Sequence, residues 1–241
     1  MIRCEHKLAI CYHGPPRSLR QVYKNHIECV FNPLVEVGIE YEIFVHTWEI
    51  EGPQFIWSNP ISAPTDHDAW ELIHPDYFRK DIQSEFIDKV DMSNYFDEEL
   101  WKREGDNRRG GEWPPTLIRN YLCSLESQKR VTSMIDDSFQ CVMYIRPDAK
   151  FAYPIDCSDI SMIEKGQIII PNRKHGEGLN DKFSTMTLQV ARTYGNRIDY
   201  LAEFRKTQGR IVSEKYTKYF IGKHKFHIVF SDINFNIIRP K

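Results

Sequence analysis

Short runs of consecutive apolar residues, each stopping abruptly at polar ones, recur along this chain. Residues 8–12, Leu-Ala-Ile-Cys-Tyr, contain no polar alternation, which predicts a strand buried on both faces. The polar loop from His13 to Ser18 follows, and its Gly14, Pro15 and Pro16 stop the strand from continuing. Ser18 is placed to cap a helix whose apolar face is Leu19, Val22, Ile27, Val30, Phe31 and Leu34. Strand, loop and helix in succession form the opening half of a βαβ unit.

The same reading predicts a second strand over 41–48. Residues 49–94, rich in Pro, Asp and aromatics, read as short helices and long loops. The stretch 104–111 has the most flexible composition in the chain and reads as a solvated loop, with a mobile lid as the alternative. From Pro115 a helix carries Ile118, Tyr121, Leu122 and Leu125 on its apolar face, with Val131, Met134 and Ile135 further on. It leads into a strand that ends in Arg146-Pro147-Asp148. A strand over 166–171, a polar loop over 172–181, helices over 187–194 and 197–204, and strands over 227–230 and 233–238 complete the pattern. This alternation predicts an α/β fold with a mostly parallel central sheet flanked by helices.

Composition narrows the function classes. The 241 residues suffice for one large domain with a real core, and 41% hydrophobic with 27% charged content is ordinary for a globular chain. A formal net charge of −2 argues against nucleic acid as a partner. No apolar run approaches the roughly 20 residues of a membrane span. Cys4, Cys11, Cys29, Cys123, Cys141 and Cys157 are scattered and lack zinc-site spacing, which suits reduced thiols and a cytoplasmic location.

Motif chemistry is dispersed. The fingerprints of dinucleotide, P-loop, serine-hydrolase and zinc-helix sites are absent. What remains are polar residues at the ends of elements. His13-Gly14-Pro15-Pro16-Arg17-Ser18 offers a glycine turn, a helix N-terminus and a guanidinium fork suited to phosphate; an ordinary βα loop with a solvated Arg is the alternative. Asp148 ends a strand where, in α/β sheets, ligands gather. Asp181, in a polar loop ahead of a predicted helix, reads either as a helix cap or as a carboxylate facing a substrate hydroxyl. His46, His224 and His227 are further candidates that no spacing selects.

Five segments in order carry a family resemblance. They are Gly14-x-x-Arg17-Ser18 after the first strand; Phe44-Val45-His46-Thr47-Trp48; Arg119-Asn120-Tyr121-Leu122-Cys123-Ser124-Leu125; Tyr144-Ile145-Arg146-Pro147-Asp148-Ala149-Lys150-Phe151; and Asn180-Asp181-Lys182-Phe183. Together they resemble the small glycosyltransferases encoded by large algal DNA viruses and by some algae and bacteria. The resemblance implies a single GT-A-like domain over 1–241, with a nucleotide-binding half over about 1–150 and an acceptor-side half over about 151–241. It implies a hexosyl- or pentosyltransferase that takes a nucleoside diphosphate sugar as donor and a glycan or glycoconjugate hydroxyl as acceptor. A viral member would act in the host cytoplasm.

The resemblance also implies site roles. His13, Gly14, Arg17, Ser18, Thr47, Arg146 and Asp148 would bind the donor nucleotide, and Asp181 would be catalytic. Asp148 matches the last carboxylate of a DxD motif and would hold a divalent cation, Mn²⁺ or Mg²⁺. Arg146 stands where such a motif has its first Asp. Either Asp148 alone holds the metal with phosphates and water, or Arg146 supplies part of the metal's charge. A non-catalytic nucleotide- or glycan-binding α/β module is the rival function. A sulfotransferase-like enzyme using Arg17 is weaker, because no glycine and Lys/Thr set follows the first strand.

Overall fold

A computed structural model describes residues 7–50, 65–104 and 113–239. The expected flexible stretch beyond Glu104 lies outside the described residues. The chain opens with β1 (Leu8–His13), α1 (Leu19–His26), a π-helical turn (Ile27–Phe31), α2 (Asn32–Glu36) and β2 (Tyr41–Glu49). A 3₁₀ turn (His67–Ile73), β3 (Tyr77–Ile82), α3 (Gln83–Ile87) and α4 (Glu98–Glu104) lead to the long α5 (Trp113–Thr132). Then come β4 (Cys141–Ile145), β5 (Ala149–Phe151), α6 (Ser158–Ser161), β6 (Gln167–Pro171) and β7 (Phe183–Thr187). The last elements are α7 (Leu188–Gly195), a 3₁₀ turn (Arg197–Tyr200), α8 (Leu201–Gln208), α9 (Ser213–Lys223), β8 (His227–Ser231) and β9 (Phe235–Ile237).

The main sheet has the order β3-β2-β1-β4-β7-β6-β8. The pairs β1–β2, β1–β4, β2–β3 and β6–β8 are parallel, and only β7 runs against its neighbours. A mixed α/β fold with a mostly parallel sheet flanked by helices is therefore what the chain adopts. Consecutive residues of β1 feed opposite faces. Ala9 and Cys11 pack with α5 and α7 residues such as Leu122 and Ala191, while Leu8, Ile10 and Tyr12 pack with Leu19, Val30 and Trp70. All five of these β1 side chains are fully buried, which is why the run shows no polar alternation. Each buried aliphatic side chain contributes about 1.5–3 kcal/mol.

Local chemistry explains where the expected elements differ. The single helix predicted after Ser18 is interrupted by the π-helical turn Ile27–Phe31, just ahead of Pro33. That residue has no N–H to offer the Cys29 carbonyl one turn earlier, so the carbonyl accepts from the Ile155 amide instead, at 2.8 Å. Ser18 occupies the N-cap position without a side-chain cap bond. Its hydroxyl is buried and unpartnered among the described residues. β3, β7 and α9 are additions to the predicted pattern. β7 takes the place of the direct passage from polar loop to helix, so Asp181 stands before a strand and the helix-cap reading of that residue is corrected.

Candidate functional site

At the carboxyl ends of β1, β2, β3 and β4 the sheet opens into a cavity of about 780 Å³. His13 ends β1 and Gly14 follows it, Ile50 follows β2, Gln83 follows β3, and Arg146 and Pro147 follow β4; all line it. β7 enters the sheet from that same side, and the Arg146 amide donates to the Lys182 carbonyl at 3.2 Å, which brings Asp181 and Lys182 to the wall. The far wall comes from α5 and from the segment that leads into α9. Among the described residues the lining holds seven cationic side chains, Arg17, Arg119, Arg146, Lys182, Arg197, Arg210 and Arg239, against three carboxylates, Glu177, Asp181 and Glu214. A chain of net charge −2 has thus concentrated positive charge in one cavity. Such a concentration draws in anions.

One cluster forms the floor. Asp148 is fully buried and meets Arg146 through two bonds, Nε to Oδ1 at 2.8 Å and Nη2 to Oδ2 at 2.7 Å. Arg239 Nη1 lies 3.6 Å and Arg17 Nε 3.9 Å from the same Oδ2. The short strand β5 explains the convergence. Its preceding residue, Asp148, accepts through its carbonyl from the Ile238 amide at 2.8 Å, which delivers Arg239. Asn25 of α1 bonds both the amide and the carbonyl of Phe151, which fixes the helix that Arg17 precedes. Burial alone would raise the Asp148 carboxyl, but the Arg146, Arg17 and Arg239 charges outweigh it and hold it at about 2. Arg17 itself adopts φ +52°, a left-handed conformation uncommon for a side-chain-bearing residue and typical of constrained functional loops.

Gly14 also has positive φ, and its amide donates to the Ser127 hydroxyl at 2.7 Å and to the His46 carbonyl at 3.1 Å. The β1–α1 loop is thereby riveted to α5 and β2. His13 is held neutral: burial, then the Arg197 and Arg146 charges, push it down to about 3. Asp181 bonds Lys182 Nζ at 2.6 Å, and the same ammonium reaches Glu214 Oε1 at 3.0 Å. Burial works against ionisation of Asp181, yet Lys182 and Arg146 keep its carboxyl below the ordinary range. Arg197 is buried with its guanidinium 4.0 Å over the Tyr194 ring, and its Nε has no partner among the described residues. A buried cation left so under-bonded is costly unless a ligand completes it.

Of the residues singled out from sequence, His13, Gly14, Arg17, Arg146 and Asp181 meet in this cavity. Asp148 sits beneath it, behind the guanidinium groups. Thr47 and Ser18 are buried in the fold and do not line it. Arg197, Arg210, Glu214 and Arg239 were not singled out, since each lies in or beside an unremarkable helix or strand. The donor set does not suit the divalent cation that the family resemblance implies. Both Asp148 oxygens are taken by Arg146, and the described residues hold no group of three or more His, Cys, Asp or Glu side chains placed for a metal.

No protein-family model matches the chain, and no curated protein matches it. Solved structures that match the chain include mouse xyloside xylosyltransferase 1 in its apo form. That match has TM-score 0.46 and 9% identity, and covers 94% of this chain and 84% of that one. The glycosyltransferase GlyE of Streptococcus pneumoniae TIGR4 matches with TM-score 0.42 and 9% identity, over 94% of this chain and 45% of that one. Its apo form matches at 0.40 and 12%, over 93% and 45%. No helix among the described residues is long and apolar enough to cross a membrane.

Proposed function

We propose that this chain is a GT-A-type glycosyltransferase, moving a sugar from a nucleoside diphosphate donor to a hydroxyl of a glycan or glycoconjugate. The observation that carries the reading is the cationic cavity at the carboxyl ends of parallel strands, where α/β sheets bind nucleotides. Its size, about 780 Å³, falls in the range of small-molecule sites and accommodates a nucleotide sugar. Arg146 and Arg17 face the diphosphate, with His13 and Gly14 beside the nucleotide. In the transfer, the acceptor oxygen bonds to the anomeric carbon as that carbon's bond to the β-phosphate oxygen breaks. The electron pair leaves with the diphosphate, whose growing charge the guanidinium groups stabilise. The hydroxyl proton passes to the Asp181 carboxylate, which the ion pair with Lys182 keeps ionised.

One observation favours the rival reading, a non-catalytic nucleotide-binding module: Asp181 is already neutralised by Lys182, which weakens it as a base. A screen of UDP-, GDP- and dTDP-sugars separates the two. Thermal shift reads binding, and release of free nucleoside diphosphate in the presence of glycan acceptors reads transfer. The enzyme reading expects one donor to give both signals. Binding without release would install the module instead, and no binding of any donor would remove both.

A further inference from the structure

We infer that the donor diphosphate is held by a guanidinium tripod, Arg17, Arg146 and Arg239 around the buried Asp148, and that donor binding needs no divalent cation. This rests on the nucleotide-sugar reading above and deepens it. Three guanidinium charges against one carboxylate leave a net charge of two positive units at the cavity floor, the charge a divalent cation would bring. A cation entering here would meet three like charges within 4 Å of the Asp148 carboxylate, which is 0% exposed. At either oxygen it would compete with a bond from Arg146, 2.8 Å at Oδ1 and 2.7 Å at Oδ2. Mg²⁺ and Mn²⁺ favour oxygen-rich, near-octahedral shells, which nothing else in the cluster supplies.

The tripod is built to face outward. Arg146 spends its Nε and one Nη2 hydrogen on Asp148, which leaves the Nη1–Nη2 edge of the same fork for a phosphate. Arg17 and Arg239 stand further from the carboxylate, at 3.9 and 3.6 Å, and both line the cavity. Asp148 is then a positioning residue. It gathers the three arginines and fixes the Arg146 plane, and it touches neither metal nor substrate. Arg239 reaches the cluster through the β5–β9 pairing, so the carboxyl-terminal strand is part of the donor site.

The test is calorimetric titration of the full chain with UDP, GDP, ADP and dTDP, in EDTA and again in excess Mn²⁺. We expect at least one nucleotide to bind in EDTA with a Kd within about threefold of its value in Mn²⁺. Arg239→Ala and Arg146→Lys should each weaken that EDTA binding by about tenfold, the scale of one charge-assisted contact, with circular dichroism confirming the fold. Arg146→Lys keeps the charge and loses only the fork, so it remains informative if removing the cation unfolds the protein. Binding that appears only in Mn²⁺ would overturn the tripod and leave the glycosyltransferase reading standing. Unchanged EDTA binding in both variants would likewise overturn it. No binding of any nucleotide in either condition would overturn the function itself, and the tripod with it.

Discussion

Arg146 and Asp148 stand on either side of Pro147 and close a two-pronged ion pair at 2.8 and 2.7 Å, with the carboxylate fully buried. The turn makes this possible: the Ala149 amide donates to the Arg146 carbonyl at 3.1 Å, so residues two apart present their side chains together. Arg146 and Asp148, which the resemblance reads as a DxD-like position, form an internal salt bridge. The Arg146 guanidinium also lines the cavity.

Removing that carboxylate should therefore cost stability before it costs chemistry. Asp148→Asn leaves Arg146, Arg17 and Arg239 without their counter-ion, and breaking a buried pair from one side costs about 3–5 kcal/mol. Urea denaturation should show a loss on that scale. Added pyrophosphate should restore part of it, because an anion that binds only the folded state stabilises it. A loss below about 1 kcal/mol, typical of an exposed pair, would mean the cluster is solvated.

Ser127 holds the β1–α1 loop, which also carries Arg17. Its hydroxyl accepts from the Gly14 amide at 2.7 Å, donates to the His46 carbonyl at 3.0 Å and lies 2.6 Å from His46 Nδ1. Ser127→Ala should cost about 1–3 kcal/mol, the penalty of leaving buried polar groups short of a partner. Because Gly14 lines the cavity, nucleotide affinity should drop severalfold as well. A variant that is destabilised but binds nucleotide normally would confine Ser127 to the core.

β1, β4 and β6 were legible because they are buried on both faces and read as nearly unbroken apolar runs, and β2 was legible through its apolar centre Ile43-Phe44-Val45. β3 was not, since Tyr-Phe-Arg-Lys-Asp-Ile is an exposed edge strand with no core face to impose periodicity. β7 hid for the opposite reason. Its Ser184 and Thr185 are buried in the sheet, so hydroxyl residues that read as loop form a central strand. That miss placed Asp181 at a helix start. Of the site, the parts contiguous in sequence were visible: the His13-to-Arg17 loop and the Arg146–Asp148 pair. Arg197, Glu214 and Arg239 were not, because only sheet pairing and helix packing bring them to the cavity.

Buried histidines should make the fold acid-sensitive well above the carboxylate range. His26 and His46 are pushed down to about 4 and His13 to about 3, in each case mainly by burial. Unfolded, each takes up a proton near 6.5, so between 6.5 and 4 the unfolded state binds more protons. Stability then falls as pH falls, by up to about 1.4 kcal/mol per pH unit for each histidine. Asp148, depressed to about 2, adds its loss only below 3.8. Melting temperature should therefore decline steeply from pH 6.5 to 4.5, and His26→Gln should flatten part of the slope. A flat profile across that interval would show that these rings are not held neutral.

Asp181 carries the most exacting test of catalysis. Its carboxylate bonds Lys182 at 2.6 Å, and Lys182 in turn reaches Glu214 at 3.0 Å, so Asp181 stays ionised and ready to accept a proton. If it takes the acceptor's proton, Asp181→Asn should slow transfer by about 10²–10⁴-fold. The lower end is expected, since a depressed base pulls less strongly on the proton. Nucleotide affinity should change by less than about twofold, a difference under about 0.5 kcal/mol, because the proposed phosphate contacts are Arg17, Arg146 and Arg239. If Asp181 serves instead as the counter-ion of Lys182, then Lys182→Met should reproduce the Asp181→Asn phenotype, since either change breaks the same pair. The base role expects divergence: Lys182→Met retains a carboxylate whose affinity for protons rises, and it keeps much of the turnover. Transfer rates for the two variants, measured beside their melting temperatures, decide between these roles. Equal loss of rate in both variants, tracking equal loss of stability, would return Asp181 to the scaffold.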